Sequence, residues 1–273
     1  MKRNFIYLTI LILIFLIFKN YSIVLSSSIN AVELWLYKVF PYLFIMIIIN
    51  DTLINLDFER VFTSTSIYVL IMSLLSGSPT SAVIIDNLYK QGKISKNNAN
   101  ITLIFTYFAN PLFLYTMLNS IFNSINITIK LMIIHYLSNI IIYLIFKKKL
   151  EYTPTITNSS KFDIASSIKK AMTTTTMVLG AITFYLVISD ILQLNIFLRG
   201  LLEMTQGLNS LINLNLANKE IIAIIFISFG GLSIHTQVKC ILDDSTLEYK
   251  YFFKGRIYQT LIATILTIIT QTI

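Results

Sequence analysis

The sequence predicts an all-α polytopic membrane protein, and three features carry that reading. Apolar residues make up 55% of the chain and charged residues only 12%, against about 25% charged in a soluble domain. Apolar runs such as Phe5 to Phe18, interrupted only by Thr9, are longer than core helices require. Lys and Arg cluster between such runs, so the net charge of +8 reads as a positive-inside signal rather than a nucleic-acid footprint. A spanning helix needs about 20 mostly apolar residues, and lipid is the expected partner of these faces.

The N-terminal helix, 1–30, starts Met1-Lys2-Arg3 and runs into Lys19-Asn20-Tyr21 without a small-x-small cleavage site, so it is expected to stay uncleaved. The first repeat, 31–146, begins with Glu33, Trp35 and Lys38, as at a membrane interface, before Pro41 opens an apolar stretch. Ser66 to Leu75 is too short to cross. It is broken by Ser76-Gly77-Ser78-Pro79-Thr80-Ser81 and resumes as Ala82 to Leu88, which predicts a re-entrant hairpin over 66–90. Lys90, Lys93 and Lys96 follow as topology determinants. The next crossing is interrupted at Asn110-Pro111, where proline frees a carbonyl one turn back and a kink or unwound stretch is expected. Ile127 to Phe146 returns the chain to the lysine-rich loop 147–170, the expected cytoplasmic loop.

The second repeat, 171–273, starts with the crossing Met172 to Leu194. An amphipathic stretch carrying Glu203, Gln206 and Asn209 follows. The segment 219–242 is apolar on both sides of Gly230-Gly231-Leu232-Ser233, which predicts a second re-entrant hairpin. The final crossing starts at Ile257, after a charged loop whose Lys250, Lys254 and Arg256 are expected on the outer side, against Asp243, Asp244 and Glu248. The halves echo each other: Asp51 and Asp190 each end an apolar helix, and each half holds a broken apolar segment. Charge places the two breaks on opposite sides, so the pattern is an inverted repeat. Paired interruptions of this kind point to a transporter's binding site.

Broken helices suit an anion, because each half-helix N-terminus presents unpaired N–H groups and about half a positive charge. The candidate substrate-binding residues are therefore Ser76, Gly77, Ser78, Pro79, Thr80 and Ser81 in the first break, and Gly230, Gly231, Ser233, His235 and Gln237 in the second. Asn110 and Glu203 join them, Glu203 as a coupling carboxylate. The competing readings are structural: glycine and proline shaping kinks, His235 capping a half-helix, Glu203 solvated at an interface. His135 reads as a packing residue. Cys240 is the single cysteine and the two histidines lie far apart, so no metal or cofactor is expected. No nucleophile–base pair appears, so no enzyme activity is expected.

Several motifs together carry a family resemblance. They are Ser76-Gly77-x-Pro79, Asp86 to Ser95, Pro111-Leu112-Phe113, Gly200-Leu201-Leu202-Glu203-Met204-Thr205-x-Gly207, Phe229 to Val238, and Phe252-Phe253-Lys254-Gly255-Arg256. They resemble the YlbJ/SpoVV sporulation integral membrane proteins of the nucleoside-recognition (Gate) group. The resemblance implies a fold similar to concentrative nucleoside transporters and a small anionic substrate, dipicolinic acid, carried across the outer forespore membrane. A non-transporting scaffold for spore envelope or cortex assembly is the alternative. A homo-oligomer is compatible with either. The chain departs from the family where Tyr107-Phe108-Ala109-Asn110 replaces an expected Asn-Asn-Ser-Gly and Ser81-Ala82-Val83 replaces Gly-Ala-Lys, which removes polar groups and a positive charge.

Overall fold

The computed structural model describes residues 2–151, 163–216 and 218–271, so 152–162 of the expected cytoplasmic loop lie outside the described residues. Those described are almost entirely helical, with no strand among them. Five helical stretches are long and apolar enough to cross a membrane: Tyr21–Asn55, Ile125–Lys149, Ile164–Ile191, Lys219–Leu242 and Tyr249–Gln271. The N-terminal helix α1 (Lys2–Lys19) exposes Phe5, Leu11, Phe15 and Phe18. That exposure fits lipid and would be costly in water.

After α1, helix α2 (Tyr21–Leu34) passes through a π turn (Trp35–Val39) into α3 (Phe40–Asn55) without leaving the helical path. Pro41 follows directly on this π turn, and its missing N–H leaves a carbonyl of the preceding turn without its helical donor. The first hairpin forms as α4 (Thr65–Ser76) and α5 (Thr80–Lys90), whose arms pack together. Gly77 makes the turn at φ +78°, a backbone region open to glycine.

The crossing broken at Asn110-Pro111 is two helices, α6 (Lys96–Phe105) and α7 (Pro111–Phe122), with Thr106–Asn110 non-helical between them. Helix α8 (Ile125–Phe146) runs beside both halves. Helix α9 (Ile164–Ile191) packs along α2 and α3 and forms a long seam with them. Two seven-residue helices, α10 (Ile196–Leu202) and α11 (Met204–Ser210), follow. Helices α12 (Lys219–Phe229), α13 (Gly231–Leu242) and α14 (Tyr249–Gln271) complete the chain.

Two expectations need correction. First, the helical pair of the second half is α10–α11, not 219–242. A Cβ on Gly207 would sit 2.2 Å from the Gly200 backbone, so two glycines let these short helices touch, as small residues do between membrane helices. By contrast α12 packs on α14 while α13 packs on α9 and α5, and the two do not lie along one another. Their junction at Gly230 (φ +87°) is a bend within a stretch long and apolar enough to cross a membrane. Second, Arg256 does not lie in a loop before the last crossing: it belongs to α14 and is fully buried. Lys93, read as a topology determinant, is a buried loop residue. Its ammonium is buried beside Asp57 (2.6 Å) and Glu59 (3.2 Å) and donates to the Ile54 carbonyl, joining the loop after α3 to the loop after α5.

Candidate functional site

Four places where helices stop converge inside the bundle. The turn at Gly77 lies against the unwound stretch: a Cβ there would meet the Asn110 backbone nitrogen at 2.8 Å. Ser78 N–H donates to the Phe108 carbonyl at 2.7 Å. A Cβ on Gly230 would meet the Tyr107 hydroxyl at 2.6 Å, and one on Gly231 would meet the Met204 backbone nitrogen at 2.9 Å. The first hairpin, the unwound stretch, the α10–α11 turn and the α12–α13 bend thus touch one another through glycines, which are the residues that permit such approach.

Non-helical backbone inside a bilayer must be satisfied by protein, and two neighbouring helices do this. From α8, the His135 Nε2 accepts from Ala109 N–H at 3.1 Å, the Tyr136 hydroxyl donates to the Ala109 carbonyl at 3.3 Å, and the Asn139 amide donates to the Tyr107 carbonyl. From α14, Arg256 donates to Ser228 O (3.3 Å), Ile104 O (3.5 Å) and Gln259 Oε1. Ser228 and Ile104 lie in the last turns of α12 and α6. Each helix end carries about half a negative charge, so two of them supply roughly the counter-charge of one guanidinium. Arg256 forms no ion pair among the described residues. It also stacks 4.0 Å from the centre of the Tyr107 ring, a favourable cation–π distance.

Beside this convergence lies a cavity of about 90 Å³. Ser76, Ser78 and Pro79 line it from the first hairpin, Tyr107, Ala109 and Asn110 from the unwound stretch, and Glu203, Met204 and Thr205 from the α10–α11 turn. Ile234 and Gln237 of α13 close another side, and the seam contributes Lys38, Tyr42, Val178 and Ile182. Ser78 Oγ and Thr80 Oγ1 are buried with no hydrogen-bond partner among the described residues. Helices α5 and α13 both begin here, and neither has a side-chain cap. The Asn110 oxygen is spent on capping α7 through Leu112 N–H and Phe113 N–H, which leaves its amide nitrogen for the cavity. Glu203, buried at 3% exposure, accepts from Gln206 N–H at 2.7 Å and caps α11.

Of the residues singled out in the sequence, Ser76, Ser78, Pro79, Asn110, Glu203 and Gln237 line this cavity. Gly77, Gly230 and Gly231 stand behind it and set its shape, while Thr80 and Ser81 are buried at the start of α5. Ser233 is buried and accepts from Gln237. His235 faces away: its Nδ1 bonds the Tyr249 hydroxyl at 2.7 Å and its Nε2 lies 3.1 Å from the Phe229 carbonyl, inside an aromatic cluster. Lys38, Tyr107 and Arg256 were missed as site residues. Lys38 reads as an interfacial charge, although a lysine three residues before Pro41 in a run as apolar as Trp35 to Ile49 is itself a signal.

Over 331 aligned positions the chain is 24% identical to the sporulation integral membrane protein YlbJ of Bacillus subtilis strain 168, covering 94% of this chain and 81% of that protein. No protein-family model matches the chain, and no solved structure matches it. With five spanning-length helices and a similarity running almost end to end, the chain is an integral membrane protein that resembles YlbJ.

Proposed function

We propose that this protein is a membrane transporter for a small anionic metabolite, with the cavity at the four helix interruptions as its substrate site. The observation that carries the proposal is the convergence of those interruptions on one cavity. A purely structural bundle gains nothing from four interrupted helices in one place, and each costs backbone hydrogen bonds worth roughly 1 kcal/mol apiece. Anion selectivity is supported by Lys38, by the uncapped N-termini of α5 and α13, and by the unpartnered hydroxyl of Ser78. Among the described residues Glu203 is the single acid lining the cavity, which suits a cation or proton partner.

Packing supports an inverted repeat in which α4–α5 corresponds to α10–α11, α6–α7 to α12–α13, α8 to α14 and α3 to α9. Helix α5 packs on α13 as α11 packs on α7, and α14 packs on α6 as α8 packs on α12. The hairpins of this repeat are then 65–90 and 196–210, both re-entrant. Dipicolinate is the substrate we favour, on the family resemblance. Its two carboxylates would face the two helix N-termini.

The test is ligand-dependent stabilisation of the purified protein in detergent. A ligand at 100 times its Kd raises stability by about 2.7 kcal/mol. Dipicolinate should raise the unfolding temperature and a nucleoside should not, and Lys38→Gln or Ser78→Ala should reduce the rise. A folded protein indifferent to small carboxylates would remove the transporter reading in favour of a scaffold.

A further inference from the structure

Two clusters outside the central cavity repeat one arrangement. Near the end of α3, the Asp51 carboxylate accepts from Ser167 Oγ at 2.6 Å, Lys170 Nζ at 2.5 Å and Asn87 Nδ2 at 3.2 Å. Near the end of α9, the Asp190 carboxylate accepts from Ser27 Oγ at 2.6 Å, Gln206 Nε2 at 2.7 Å and Arg199 Nη1 at 3.1 Å. Each cluster has a serine from the facing seam helix, one cation, and one carboxamide. The carboxamide comes in both cases from the second arm of a hairpin, α5 or α11.

Lys170 and Asp190 lie 20 residues apart on the single helix α9, hence about 30 Å apart at 1.5 Å per residue. That is the thickness of the hydrocarbon layer. The central cavity meets α9 between them, at Val178 and Ile182. Beside each cluster lies an outer cavity. One of about 520 Å³ is lined by Asn87, Lys90, Lys169 and Lys170. The other, of about 530 Å³, is lined by Glu33, Asp190, Arg199 and Gln206. Lys38 borders both this second cavity and the central one.

We propose that the Asp51 and Asp190 clusters are paired latches on one permeation path, each closing the central cavity toward one membrane face by tying a hairpin arm to the α3–α9 seam. The two outer cavities are the vestibules of that path. Releasing Asn87 from Asp51 frees α5, and releasing Gln206 from Asp190 frees α11. The same hydrogen-bond exchange therefore operates at both faces. The proposal rests on the transporter reading of the central cavity, but its test needs no substrate.

In a Cys240→Ser background, a reporter cysteine at Val178 is labelled with a membrane-impermeant maleimide, in vesicles of each orientation. Asn87→Ala should raise the labelling rate from the face bearing Lys169, and Gln206→Ala from the opposite face. The rise in each case should be about ten- to a hundredfold, as expected for one hydrogen bond to a charged group. Asp51→Asn and Asp190→Asn should act in the same directions. These variants also disturb a cation, so the amide variants are decisive if they fail to fold. Enhancement from the same face for both amide variants overturns the latches, as does unchanged labelling in variants that melt like the parent. Anion stabilisation without the labelling pattern would retain the site and discard the latches. The labelling pattern without anion stabilisation would do the reverse.

Discussion

The breaks in the two crossing helices are solved differently. Between α6 and α7, the five residues Thr106–Asn110 leave the helix, and three side chains of α8 are needed to satisfy their backbone. Between α12 and α13, two glycines at positive φ, Gly230 and Gly231, make the bend, and His235 with Arg256 covers the carbonyls before it. The first break is wide and needs buried polar residues on a neighbour. The second is narrow and needs the absence of a side chain. Arg256 touches both, since it bonds the last turn of α6 and of α12 and stacks on Tyr107. Two helix ends that would otherwise repel each other share one cation.

The largest effect is therefore expected at Arg256. Arg256→Met removes the cation from two helix ends at once and should cost about 3 kcal/mol or more, at 1–3 kcal/mol per polar group left unpaired. Arg256→Lys keeps the charge but loses the planar fork and the stack, so it should fall between. Thermal unfolding in detergent reads both. An Arg256→Met protein as stable as the parent would break the shared-cation account.

The next effect separates the glycines. Gly77→Ala and Gly230→Ala each force a side chain into positive φ and into a neighbour, which should cost about 2–3 kcal/mol. The neighbours differ. Gly230 faces the Tyr107 hydroxyl, so adding Tyr107→Phe should recover part of the loss, about 1 kcal/mol. Gly77 faces the Asn110 backbone, and no side-chain truncation should rescue it. Equal rescue, or none at either position, would contradict the contacts described.

A smaller effect is expected outside the membrane. The Lys93 ammonium, bonded to the Asp57 carboxyl, holds that carboxyl below its ordinary value, against the opposing effect of burial. A carboxyl lowered in the folded state contributes stability that is present above its unfolded value, near 3.9, and lost as pH falls through the folded value. The unfolding temperature should therefore drop below about pH 4, and Asp57→Asn should flatten that part of the profile. Neither change should alter anion stabilisation, because this cluster lies away from the central cavity.

Much of the fold was legible because apolar run length reports membrane helices directly. The first hairpin was legible too, since Ser66 to Leu75 cannot span and Gly77 with Pro79 must turn. The second was not. Helices of seven residues are too short to show a period, while the longer run 219–242 with its glycine pair carries the stronger sequence signal of a break. The spacing of Gly200 and Gly207 around Glu203 was visible as a motif, but its meaning, two glycines touching across a turn, is a tertiary fact. Arg256 was misread because charge at the end of an apolar run usually marks a loop. The helical spacing of Phe252, Arg256, Gln259 and Ala263, all buried on one face of α14, was the signal to weigh. At the cavity, His235 was drawn in by sequence proximity to Gly230. One helical turn was enough to aim its ring at α14 instead.

The central claim is that the four converging breaks enclose a transport site for an anion. Uptake of labelled dipicolinate by proteoliposomes holding the purified protein measures this most directly. The parent should accumulate the label above protein-free liposomes, and Ser78→Ala and Lys38→Gln should lower the initial rate by about tenfold, as one lost bond to a charged group implies. His235→Ala, which alters the α14 side, should lower it less. Uptake equal to protein-free liposomes, by protein that melts cooperatively and carries intact Ser78 and Lys38, would contradict the account.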